Sequence, residues 1–153
     1  MVWGPSHWQQ IQGAVCERVW RARSEAEAWH AIVQRAKAVM RAFSSSFYLV
    51  TRFLPPRQRA EVEVIYASVR YPDEIVDTFP LSAAEKLARL EAWQAAYREA
   101  MRLRGIRERI HNGLPWILAG FAEVAREGNP GKTLSVFSCG HAPGCATGAL
   151  CIP

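Results

Sequence analysis

The sequence predicts an all-α fold. Apolar residues recur at steps of three and four through most of its length, two Ser-x-x-Glu boxes open such runs, and no stretch keeps the strict alternation of a strand. With 153 residues, half of them apolar, the chain suits one domain with a core of ordinary extent and is not disordered as a whole.

Taken in order, residues 1–23 read as an N-terminal extension. Ser24 and Glu27 then make a capping box, and Trp29, Ile32, Val33, Ala36, Val39, Met40 and Phe43 recur at helical spacing, predicting a helix over 24–43. A short apolar segment, 44–54, follows a serine triplet and stops at Pro55-Pro56. Pro56 suits the first turn of the next helix, where its missing N–H costs nothing, and that helix is expected from about Arg57 to Thr78. Ser82 with Glu85 opens another, running to about Arg104 with Leu87, Leu90, Trp93, Tyr97 and Met101 on its apolar face. Asn112-Gly113 marks a turn, and a last helix runs from Pro115 to Glu127, closed by Gly128. Residues 24–127 thus form the helical domain. Beyond it, residues 128–153 carry one charged side chain, Lys132, and no period, and they read as an irregular, disordered tail.

Charge and cysteine content narrow the function classes. The net charge of +5 and pI near 9.3 arise from 16 Arg and 3 Lys. The arginines are spread along helices, which argues against a nucleic-acid footprint and leaves an anionic membrane surface or a diphosphate as partner. No apolar run reaches the roughly 20 residues of a membrane span. The N-terminus has no basic-then-apolar leader, and the cysteine pattern predicts a reduced, cytoplasmic protein with room for peripheral membrane contact. Cys139, Cys145 and Cys151 recur at six-residue steps around His141, wider than zinc sites use, and Gly128-Asn-Pro-Gly-Lys-Thr133 lacks the strand that a phosphate loop needs.

The acids point to chemistry. Twelve of fourteen are glutamates; the two aspartates, Asp73 and Asp77, stand four residues apart in Arg70-Tyr-Pro-Asp-Glu-Ile-Val-Asp77. That spacing puts both carboxylates on one helical face, Cβ atoms about 5–6 Å apart. Their repulsion amounts to roughly 3 kcal/mol at an effective dielectric of about 20, and Mg²⁺ is the natural hard cation to relieve it. On the same helix Tyr66, Arg70, Asp73 and Asp77 form one polar line, flanked by an apolar stripe on each side: Val62, Ile65, Val69 and Val76, then Val64, Ala67, Tyr71 and Ile75. Apolar flanks on both sides predict a buried helix whose polar line faces an internal cavity. Pro72 is expected to kink the helix rather than end it, because the line continues in phase beyond it.

Phe43-Ser-Ser-Ser-Phe-Tyr-Leu-Val-Thr-Arg-Phe-Leu-Pro-Pro56, followed by Ile65-Tyr-Ala-Ser-Val-Arg-Tyr-Pro-Asp-Glu-Ile-Val-Asp77, resembles the squalene/phytoene synthase family, the head-to-head trans-prenyltransferases. The resemblance spans about Phe43 to Glu127, the first half of a typical member, with Glu74 where many members have another aspartate. It implies an isoprenoid synthase-type helical bundle, here truncated, and an enzyme of squalene or carotenoid biosynthesis that joins two C15 or C20 allylic prenyl diphosphates. It also implies the site. Asp73, Asp77 and Tyr66 take the catalytic roles, and Asp73 and Asp77 hold Mg²⁺ (or Mn²⁺). Arg70, Tyr66 and the Ser44–Ser46 block contact diphosphate oxygens, and Phe47 lines the prenyl pocket. NADPH enters only for a squalene-forming enzyme.

One part is missing. Members carry a second aspartate-rich motif facing the first, and this chain has no third aspartate. Glu123 and Glu127 share the i, i+4 spacing, but beside Arg126 they read as a solvated face. The chain is therefore expected to be inactive alone. The alternative is a non-catalytic helical fragment that binds a partner or lipid; a head-to-tail prenyltransferase or terpene cyclase fits the tyrosine-to-arginine spacing less well.

Overall fold

The computed structural model describes residues 3–128. The segment read as a disordered tail, with its cysteines, lies outside the described residues apart from Gly128. Seven helices follow one another, and no strand occurs among the described residues: α1 (Pro5–Arg21), α2 (Glu25–Phe43), α3 (Ser45–Thr51), α4 (Pro56–Asp77), α5 (Ala83–Arg102), α6 (Ile106–His111) and α7 (Trp116–Gly128).

The capping boxes start helices as their sequence requires. Ser24 accepts from the Glu27 N–H, and Glu27 reaches back to the Arg23 N–H at 2.8 Å. Ser82 and Glu85 form the full reciprocal box. Pro56 stands in the first turn of α4, and the helix continues through Pro72 to Asp77. Asn112-Gly113 turns the chain, with Gly113 at φ +78°.

Three helices were not assigned from the sequence: α3, whose residues read only as a short apolar segment, α1 and α6. The N-terminal extension carries α1, whose Trp8, Ile11, Val15 and Val19 are buried at helical spacing and pack on α2 and α6. The signal was present, but Gly4 gives no side-chain cap. Helix α6 also begins on a glycine, Gly105 at φ +81°; its cap is the carboxylate of Glu25, which accepts from the Ile106 N–H at 2.7 Å.

The core lies where α2, α4 and α7 meet. Gly120 permits the close approach: a Cβ there would stand 2.6 Å from Ile32 Cγ2 and 3.2 Å from Val64 Cγ1. Arg109 is fully buried and ties α5 to α7, donating to the carbonyls of Ala100, Leu103 and Ala119 and to Glu123 at 2.7 Å. An aromatic group of Trp3, Trp8, Phe43, Tyr71 and Trp93 joins α1, α2, α4 and α5, with Trp8 stacked on Phe43 at 6.0 Å. On α5 the expected apolar face holds from Leu90 onward, but Leu87 is exposed.

Candidate functional site

Helix α4 differs from the expected double-flanked helix. The stripe of Val64, Ala67 and Ile75 is buried, whereas Ile65, Val69 and Val76 are exposed. The polar line therefore follows the boundary between core and open surface instead of facing an enclosed cavity. Clefts of about 450 and 320 Å³ lie elsewhere, between α1 and α2 and around Glu25 and Trp29, and neither includes Tyr66, Arg70, Asp73 or Asp77.

Two elements bring the predicted side chains together. Ser44 caps α3 by accepting from the Phe47 N–H at 3.3 Å, and its hydroxyl lies near enough to the Tyr66 phenol to influence it. The Phe47 ring lies 6.0 Å from that of Tyr66. Burial pushes the Tyr66 phenol up from its ordinary ionisation range, with Arg70 pulling it part of the way back. One turn along α4, Arg70 donates to Asp73 at 2.8 Å. Asp77 is exposed a turn beyond, and Ser46 is exposed in the first turn of α3.

Sequence reasoning missed what holds Arg70. Its guanidinium rests 4.5 Å from the centre of the Phe43 ring and forms an ion pair with Glu74, which is 1% exposed. The i, i+4 step from Arg70 to Glu74 was the available signal. Glu74 thus turns inward to anchor the arginine while Asp73, 47% exposed along its side chain, faces out. Glu123 is also redefined: it receives the buried Arg109 and is not on a freely solvated face.

Asp73 and Asp77 are both exposed. No group of three or more metal-ligating side chains occurs among the described residues. Two exposed carboxylates one turn apart could hold Mg²⁺, which commonly keeps several waters and takes one or two carboxylates plus substrate phosphates.

A model of the squalene/phytoene synthase family matches residues 40–134, more than half of the chain. The chain belongs to this family. The match includes the whole of α3 and α4, and hence every residue of the candidate site. The all-α architecture agrees with the isoprenoid synthase-type bundle that membership implies. No curated protein and no solved structure matches the chain significantly. Among the described residues no helix is long and apolar enough to cross a membrane.

Proposed function

We propose that the α3–α4 face of this squalene/phytoene synthase family member binds an allylic prenyl diphosphate and serves head-to-head prenyl transfer. The observation that supports this most is the convergence of Ser44, Phe47, Tyr66, Arg70 and Asp73 on one face. Asp73 and Asp77 would hold Mg²⁺ (or Mn²⁺), which supplies charge neutralisation for a departing diphosphate. Arg70 offers donors in a planar fork suited to phosphate oxygens once it releases Asp73. Phe47, Ile65 and Val69, exposed beside Tyr66 and Arg70, offer an apolar surface for the prenyl chain. NADPH would be needed only if the product is squalene.

The grip on the diphosphate is one-sided. The sequence holds one aspartate pair, so ionisation of the substrate would lack a facing clamp, and the chain alone is proposed to bind without turnover. A second reading, a non-catalytic helical protein that binds a partner or lipid, is favoured by the exposed Ile65, Val69 and Val76.

Calorimetric titration of a farnesyl diphosphate analogue into the chain and into Asp73→Asn, with and without Mg²⁺, tests the site. Binding that requires Mg²⁺ and weakens at least about tenfold in the variant, equivalent to about 1.4 kcal/mol, is the expected result. Equal binding by both proteins overturns the assignment.

A further inference from the structure

The outer side of α3 is apolar and uncovered. Leu49 and Val50 are exposed, and Phe53, in the turn that follows, is 90% exposed. Scattered single hydrophobic residues are ordinary on a surface, but three large ones within five positions form a patch.

The charge along the segment that carries the patch has one sign. From residue 28 to residue 60 the sequence contains no acid, while Arg35, Lys37, Arg41, Arg52, Arg57 and Arg59 all fall within it. Arg41 near the end of α2 and Arg52 at the end of α3 stand over the Tyr48 ring, 5.9 and 5.4 Å from its centre. Both are exposed. The other cations are differently engaged. Arg59 donates to the carbonyls of Thr51, Arg52 and Leu54, and Arg57 pairs with Glu61. Glu63 is buried within electrostatic reach of Lys37, Arg52 and Arg59, one acid against three bases.

We propose that α3 docks this protein onto an anionic lipid surface. Leu49, Val50 and Phe53 enter the boundary between headgroups and acyl chains, while Arg41 and Arg52 engage lipid phosphates. Apolar side chains framed by arginine are the chemistry of interfacial binding, in which buried apolar area and attraction to anionic headgroups act together. A second copy of the chain suits the face less well, because two cationic rims would meet. The proposal is independent of the diphosphate site, which uses none of these five residues.

Flotation of the full chain with vesicles of phosphatidylcholine alone, and of phosphatidylcholine mixed with phosphatidylserine, tests it. The chain is expected to partition onto the mixed vesicles, to bind the neutral ones weakly, and to lose binding as salt is raised. Arg41→Ala with Arg52→Ala should lower partition about 25-fold, each arginine near the surface contributing about fivefold. Phe53→Ser, at a site too exposed to affect folding, should lower it about tenfold or more. Equal partition onto both vesicle types, no partition onto either, or unchanged partition of the variants overturns the proposal. So does a dimer in sedimentation velocity that Phe53→Ser dissociates, which would assign the face to a second copy. The lipid and salt comparisons use the unaltered chain and so do not depend on any variant folding.

Discussion

Arg70 and Glu74, one turn apart on α4, form an ion pair whose carboxylate is buried and whose guanidinium lies on the Phe43 ring. The pair fixes the base of the candidate site. Arg70 is thereby held from the core side by Glu74 while its other terminal nitrogen meets the exposed Asp73.

The two carboxylates should differ in their worth to stability. Glu74→Gln removes the buried partner of a half-buried cation and should cost about 2 kcal/mol. Asp73→Asn alters an exposed pair and should cost less than about 1 kcal/mol. Urea unfolding of both variants measures the difference, and equal costs would contradict the inward anchoring of Arg70.

Arg109 should be among the most sensitive positions in the fold. Arg109→Met would leave the carbonyls of Ala100, Leu103 and Ala119 and the Glu123 carboxylate without their donor. A loss of about 3–5 kcal/mol is expected, as for breaking other buried pairs. Glu123→Gln, on a partly exposed side chain, should cost only about 1 kcal/mol. Thermal unfolding followed by circular dichroism ranks the two, and the reverse order would show that the α5–α7 junction is held otherwise.

Glu63 should make stability fall as pH rises. Burial pushes its carboxyl above the ordinary value of 4.5, against the opposing pull of Lys37, Arg52 and Arg59. Folding therefore favours the protonated form. The resulting stabilisation is complete below the ordinary value and is lost as pH climbs through the raised one. Glu63→Gln should remove that decline and raise the melting temperature at neutral pH. A lower melting temperature for the variant at neutral pH would mean that the three cations outweigh burial.

Turnover should be undetectable for the chain alone. Each lost contact to developing charge typically costs about 10²–10³ in rate, and the sequence offers no aspartate to face Asp73 and Asp77. Incubation with radiolabelled farnesyl or geranylgeranyl diphosphate, Mg²⁺ and NADPH should yield no C30 or C40 hydrocarbon. Product above the no-enzyme control would show that one aspartate pair suffices.

Much of this was legible in the residues because its causes are local. Ser24 and Ser82 start their helices through bonds to residues three positions on, and Tyr66, Arg70, Asp73 and Asp77 share a line because helical periodicity is a property of neighbours. Phe47 and Ser44 could be tied to that line only through the family resemblance; the contact itself joins separate helices.

What the tertiary structure decided depends on partners distant in sequence. Helix α6 begins where it does because Glu25, eighty-one residues earlier, caps Ile106. Which flank of α4 is buried depends on α2 and α7 packing against one side of it and leaving Ile65, Val69 and Val76 open; two apolar stripes look alike in a sequence. Arg109 looks like one surface arginine among sixteen until the carbonyls of α5 and α7 close around it. Short-range hydrogen bonds and periodicity specify elements, whereas burial, which sets the charge environment of a site, is a property of the assembled chain.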